Sequence, residues 1–229
     1  MEIFEEKVTV SPSGLCAGDL FRLIQKVSGD HCRQIGYGET VMAELGVMWV
    51  IVRHGVEVLR WPEPGEALLV RTWPGPTRHG MCPRWYRIES GYGQLLIAGC
   101  AIWSVVDRQT RKMAIPAERG VTIEPLTTGL ESRRPAAPGK LPETERAATT
   151  VSAAVLDENG HMNNTRYYDL AERLLGTTGR PLRSAVTEYV SEAREGDLLQ
   201  LSWGREGGRC CLSGRVDSPA FRMELVYAD

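Results

Sequence analysis

Asp157, Asn159 and His161 stand at alternate positions of the run Leu156-Asp157-Glu158-Asn159-Gly160-His161-Met162-Asn163-Asn164. In an extended segment, side chains two apart share a face, so a carboxylate, an amide and an imidazole converge on one point. Gly160 lets the chain turn there, because without a Cβ it takes backbone angles closed to other residues. Such a trio has the parts for acid–base or nucleophilic attack on a carbonyl. Asn163 or Asn164 suits the N-cap of a helix running through Tyr167, Leu170, Ala171, Leu174 and Leu175 at three-to-four spacing. Unsatisfied N–H groups at a helix start face incoming negative charge, so a backbone amide near His161 or Met162 is the expected oxyanion donor. The same residues also serve an ordinary Asx-turn before a capped helix, with no catalysis. The imidazole is the part that turn chemistry does not require. A calcium loop is excluded, since its closing glutamate falls about eleven residues after the first ligand, where Tyr168 stands.

No other stretch concentrates chemistry in this way. His31 and Cys32 are neighbours, but adjacent residues of a helix point apart, which disfavours a thiol–imidazole pair. His54 reads as the end of a buried strand and His79 as part of the turn Arg78-His79-Gly80. The six cysteines (Cys16, Cys32, Cys82, Cys100, Cys210 and Cys211) show no metal-ligand spacing and read as reduced thiols. Neither a metal nor a cofactor is expected, and no phosphate loop or dinucleotide fingerprint is present.

These residues need elements to position them. A chain of 229 residues, 42% apolar and with a net charge of −2, can bury one large core or two small ones, and it does not read as a nucleic-acid binder. Its longest mostly apolar stretch, residues 45–52, is too short to cross a bilayer. The acidic start Met1-Glu2-Ile3-Phe4-Glu5-Glu6 lacks the basic and apolar regions of a signal peptide, so the expectation is a cytoplasmic protein with no membrane partner. Of the 27 basic residues only Lys7, Lys26, Lys112 and Lys140 are lysine. Arginine forks bind phosphate and carboxylate bidentately; Arg133-Arg134 reads most simply as a solvated pair, and with Arg166, Arg173, Arg180 and Arg183 it could also meet an acidic partner, which charge alone does not name.

Periodicity and Gly/Pro punctuation predict one pattern used twice. A strand over 4–10 precedes a helix over 19–27 and strands over 46–59, 67–72, 82–89 and 95–106. A stretch rich in Pro, Gly and charge follows. Then come a strand over 149–155, a helix over 163–175, and strands over 186–192, 197–203, 209–216 and 221–227. The expected division is a first domain over 1–118, a connection over 119–148 and a second domain over 149–229. The first half has Ser13-Gly14-Leu15-Cys16-Ala17-Gly18-Asp19 before its helix, with no histidine, so one site per chain is expected.

Asp157, Asn159, Gly160, His161, Asn163, Asn164, Arg166 and Tyr167 together resemble the signature of acyl-acyl-carrier-protein thioesterases in their bacterial form. Glu188-Tyr189-Val190-Ser191-Glu192-Ala193 resembles the strand in which that family places a second catalytic glutamate, at Glu192. Where the plant enzymes carry a cysteine this chain has Ala193, which removes a thiol nucleophile from that position. Trp49 to His54, Trp61-Pro62, Gly65-Glu66, Ala101-Ile102-Trp103 and Thr110-Arg111-Lys112 also resemble the family's first domain. The resemblance implies an α+β tandem (double) hot-dog fold, each half an antiparallel sheet wrapped around a central helix. It implies a thioester hydrolase that ends fatty-acid synthesis, with Asp157, Asn159, His161 and Glu192 as its catalytic residues. Asn163 and Asn164, with Met48, Trp49 and Leu23 of the first half, are expected to touch the substrate. The implied partner is acyl carrier protein, and a homodimer is one assembly the resemblance allows. An acyl-CoA thioesterase and a non-catalytic acyl-binding hot dog are the other readings.

Overall fold

The computed structural model describes residues 2–228, so the expected domain ends at Met1 and Asp229 lie outside the described residues. The chain begins with β1 (Phe4–Thr9), whose residues alternate between half-buried and exposed. Next is α1 (Ala17–Gln34), longer than the predicted helix. Its start is closed by a capping box: Cys16 Sγ accepts from the Asp19 amide while the Asp19 carboxylate takes the Cys16 amide. A short α2 (Glu39–Glu44), which the spacing did not predict, leads into β2 (Val47–Val58). β3 (Ala67–Pro74), β4 (Cys82–Ser90), β5 (Leu95–Asp107) and the two-residue β6 (Met113–Ala114) complete the first half. The second half holds β7 (Glu145–Thr150), α3 (Arg166–Leu175), β8 (Leu182–Tyr189), β9 (Leu198–Glu206), β10 (Arg209–Arg215) and β11 (Pro219–Tyr227).

The strands form one antiparallel sheet in the order β1-β3-β4-β5-β2-β8-β11-β10-β9-β7, with β6 beside β5. Read from its two ends, that order is the same arrangement twice. The first strand of each half lies at an edge, the second lies at the centre, and each half's helix follows its edge strand. The halves meet where β2 pairs with β8, from Arg53 opposite Glu188 to Glu57 opposite Ser184. This is an α+β tandem hot-dog. Both helices pack into one core that includes Leu20, Phe21, Ile24 and Val27 from α1 and Tyr168, Leu170, Ala171 and Leu175 from α3. The Phe21 and Tyr168 rings stack at 3.6 Å between centroids, and both side chains are fully buried. Burial of two such rings removes enough apolar surface to stabilise the helix pair by about 1.5–3 kcal/mol each.

Residues 120–144 form neither helix nor strand, yet they are tied down along their length. Trp85 Nε1 donates to the Ser132 carbonyl at 2.8 Å, the Gly139 amide to Glu224 at 2.6 Å, and the Thr144 amide to the Trp203 carbonyl at 3.0 Å. The segment is a strap running from the first half's sheet to the second's.

Several element boundaries differ from the sequence reading, three of them beside Leu156, Asn163 and Glu192. The strand placed over 149–155 begins at Glu145 and ends at Thr150, and a single 3-10 turn, Ala153–Val155, follows it. Alanine has little preference for a pleated strand, and the Ser152 carbonyl closes the turn by accepting the Val155 amide. The helix starts at Arg166, not Asn163, with Thr165 at the N-cap. Asn163 Oδ1 accepts both the amide and the hydroxyl of Thr165, an Asx-turn that holds the preceding residues out of the helix. The strand placed over 186–192 spans Leu182–Tyr189. Beyond it the Val190 and Ser191 amides both turn to the Ala220 carbonyl, which takes the chain off the ladder and leaves Glu192 in a loop.

Candidate active site

The run from Leu156 to Met162 is a miniature hairpin. Leu156 and Met162 bridge antiparallel, the Asp157 amide donates to the His161 carbonyl at 2.8 Å, and the Gly160 amide donates to the Asp157 carbonyl at 3.0 Å. Gly160 sits at φ +76°, the left-handed region that favours glycine. Asp157 Oδ1 accepts the Asn159 amide at 2.9 Å and the His161 amide at 3.3 Å, so the carboxylate is oriented by the loop it closes. Among the described residues its Oδ2 accepts no hydrogen bond. A second tie comes from the loop after β8, where the Met162 amide donates to the Ala193 carbonyl at 2.8 Å and His161 bridges Arg194. This corrects one expectation. The amides of His161 and Met162 are both engaged, so neither is free for an oxyanion.

The same tie brings Glu192 to His161, with 2.9 Å between Glu192 Oε2 and His161 Nε2. Arg111, from the turn between β5 and β6, ion-pairs with Glu192 and places an NH2 group 2.8 Å from His161 Nε2. Arg194 reaches Glu192 Oε2 at 3.2 Å. Burial works to raise the Glu192 pKa, but the Arg111 hydrogen bond, the His161 charge and Arg194 outweigh it and leave the carboxyl below its ordinary value. For His161 burial is the largest influence and lowers the pKa. Glu192 and Asp157 pull upward and Arg111 and Arg194 downward, with the balance below the ordinary value. The imidazole is therefore mostly neutral near neutral pH.

A cleft of about 680 Å³ opens beside this loop. Asp157, Asn159, Asn163 and Asn164 line it from the second half, and Met48 and Trp49 line it from the first. His161 and Glu192 are not part of its wall, and neither is Leu23, which packs half-buried against the core. The i+3 and i+4 neighbours of Leu23 on α1, Lys26 and Val27, lie on an exposed and a buried face respectively, and the helix turns Leu23 between them. Glu39 also lines the cleft, and its pKa is raised by burial first and then by the charge and hydrogen bond of Glu158.

Among the other histidines and thiols, His31 and Cys32 do share a partner: Arg84 lies 2.9 Å from His31 Nδ1 and 3.4 Å from Cys32 Sγ. His54 lies inside β2 rather than at its end, fully buried and edge-on to Phe21. All six cysteines are free, and burial pushes the Cys16 and Cys210 thiols up to about 11 and Cys100 up to about 12. Cys16, Asp169 and Glu172 bring possible metal-ligand atoms within 4.8 Å of one another. Each is already engaged, Asp169 by Arg22 and Arg166, Glu172 by the Ala17 amide and Cys16 by Asp19, so the group reads as a link between α1 and α3.

Sequence reasoning missed what Arg111 does. It placed Thr110-Arg111-Lys112 in the family resemblance without a role, and no local spacing signals a contact 50 residues from His161 and 81 from Glu192.

Comparison with known proteins points to one family. Residues 16–119 match the model of the acyl-ACP thioesterase N-terminal domain. Beyond that domain the chain is similar to members of the acyl-ACP thioesterase family. It is 26% identical over 198 residues to the chloroplastic acyl-acyl-carrier-protein hydrolase FATB3 of Cuphea viscosissima, and 28% identical over 205 residues to a chloroplastic palmitoyl-acyl carrier protein thioesterase of Gossypium hirsutum. Those alignments take in 79% and 83% of this chain but 48% and 47% of the relatives, so the chain spans about half their length. In fold it is similar to an acyl-ACP thioesterase from Bacteroides thetaiotaomicron, with a TM-score of 0.81, 19% identity and 99% and 98% of the two chains covered. The 12:0-ACP thioesterase from Umbellularia californica gives a TM-score of 0.82 at 19% identity, covering 99% and 97%. These family members share the tandem hot-dog.

Proposed function

We propose that this protein hydrolyses fatty acyl-acyl-carrier-protein to free fatty acid and acyl carrier protein, as the acyl-ACP thioesterase family does. One observation carries the reading: the Asp157 carboxylate stands in the cleft wall with one oxygen held by two backbone amides and the other, among the described residues, accepting no hydrogen bond. An Asx-turn alone gives no reason for that position in a cleft of about 680 Å³ that Met48, Trp49 and Trp103 of the first half also line. In this reading the first domain (1–118) supplies the acyl-side wall through Met48 and Trp49, the second (149–229) supplies the chemistry, and 119–148 connects them. Asp157 Oδ2 attacks the thioester carbonyl carbon, and the C–S bond breaks to release the pantetheine thiolate, which takes a proton from solvent. Water then hydrolyses the acyl–aspartyl anhydride and restores the carboxylate. Asn159 and Asn164, both at the cleft wall, supply donors for the oxyanion in place of the engaged amides. His161 and Glu192 act from behind the loop, where they orient Asp157 and take up the proton from water.

The test is release of free fatty acid from acyl-carrier-protein substrates of short to long chain length, alongside the same acyl groups on coenzyme A. Turnover on the carrier protein is expected. Preference for the coenzyme A thioesters would make it an acyl-CoA thioesterase, and binding without turnover on either would make it an acyl-binding hot dog. The reading includes a cytoplasmic location and a homodimer, checked by fractionation and by sedimentation.

A further inference from the structure

We propose that Arg111 is a positioning residue that the first half contributes to the second half's site, its guanidinium fixing His161 and Glu192 against each other. This rests on the hydrolytic reading above and adds a residue to it. One ring nitrogen has two partners. His161 Nε2 lies 2.8 Å from an Arg111 NH2 group and 2.9 Å from Glu192 Oε2. Arginine can only donate and a carboxylate only accept, so the two contacts serve different protonation states of the ring. With Nε2 bare, Arg111 donates to it while its ion pair holds Glu192 close. With Nε2 protonated, that proton turns to Glu192 and the facing guanidinium opposes the extra charge. Arg111 thus favours the neutral imidazole with its proton on Nδ1, and keeps Glu192 in place to receive the ring when it becomes charged.

The backbone carries the same message. Arg111 adopts φ +57°, which costs a non-glycine residue about 1 kcal/mol. The turn that imposes it is tightly made. Asp107 Oδ1 accepts the Gln109 and Thr110 amides and the Thr110 hydroxyl, and the Arg111 amide closes on the Asp107 carbonyl at 2.9 Å. Glycine would fit this position without strain. The arginine instead directs its side chain across the boundary between halves, where NH1 also meets Met48 Sδ at 3.2 Å in the cleft wall. The charged and titratable groups facing His161 are Glu192 and Arg194 from the loop after β8, Asp157 from its own loop, and Arg111.

Arg111→Gln, Arg111→Lys and Arg111→Gly separate this role from a structural one. Arg111→Gln is expected to lower kcat on the order of 10- to 100-fold through misplacement of the pair, with KM changed less than about threefold. The His161 imidazole titration followed by NMR should move to higher pH. Arg111→Lys restores the charge without the fork, so its titration should return toward wild type while kcat recovers only in part. Arg111→Gly relieves the backbone, so it should unfold at or near the wild-type temperature and still lose activity. Wild-type kcat in a folded Arg111→Gln, or an unmoved His161 titration, overturns the proposal. Wild-type protein inactive on every acyl thioester would overturn the hydrolytic reading instead, and the His161 titration would still decide the role of Arg111.

Discussion

Substituting Asp157 separates a turn-forming aspartate from a reacting one, because its Oδ1 does structural service while its Oδ2 does none. Asp157→Asn keeps a carbonyl oxygen for the Asn159 and His161 amides but removes the charge. A hydrogen bond to a charged acceptor exceeds a neutral one by about 1 kcal/mol, and partial exposure of the site reduces that difference, so the loss across both bonds is about 1 kcal/mol. For a chain of this size that is a fall of about 2–4 °C in Tm. Asp157→Ala leaves both amides without their acceptor, costing about 2 kcal/mol after rehydration of half-buried groups and lowering Tm by about 4–8 °C. Activity should order differently. Both variants lack the carboxylate and should lose about a thousandfold in kcat, equivalent to about 4 kcal/mol of transition-state stabilisation. The assays are thermal unfolding followed by circular dichroism, and fatty-acid release from acyl-carrier-protein under saturating substrate. A folded Asp157→Asn that turns over within tenfold of wild type would refute the catalytic reading and leave Asp157 as an Asx-turn residue.

The buried histidines set a pH window for stability. Burial lowers His54 from 6.5 to about 3, and burial followed by the Arg84 charge lowers His31 to about 4. Both folded values lie below the unfolded one, so the contribution is whole above pH 6.5 and is lost as pH falls toward 4 and 3. At pH 5 each should cost about 2 kcal/mol relative to pH 7, readable as a lower urea midpoint, and His54→Gln should flatten the dependence. An unchanged slope in that variant would count against buried neutral His54. Gly160→Ala meets no neighbouring atoms but must hold φ +76°, so it should lose about 1 kcal/mol and misplace Asp157 and His161. Calorimetry and kcat check this, and wild-type kcat would show that the hairpin tolerates strain. Cys32→Ala should retain turnover although Cys32 lines the cleft, and its loss in a folded variant would bring back a thiol mechanism.

Much of the architecture is legible locally. The alternation of β1, the three-to-four spacing of α3 and the punctuation between strands lie within a few residues of each other, and they reveal the repeated element order. Boundaries slipped where a side chain or a distant carbonyl competes with the ladder or helix. Asn163 captures Thr165 ahead of α3, and Ala220 draws Val190 and Ser191 off β8. Leu23 shows the limit for the substrate wall: an apolar residue of α1 was expected at the cleft, but which face of a helix meets a cavity depends on what packs around it.

The sequence by itself determined the identity and local geometry of the Asp157–His161 turn. Asp157, Asn159, Gly160 and His161 bond to one another within five positions, and that chemistry needs no partner from afar. Only the tertiary structure decided that Glu192 closes on His161 from a loop, that Arg111 crosses from the other half to meet both, and that Met48 and Trp49 line the same cleft as Asp157. Those contacts join residues tens of positions apart, and the pairing of β2 with β8 brings them together. Spacing along a chain records which side chains share a strand face or a helix turn, whereas closing two hot-dog halves on one seam selects which distant turns become neighbours.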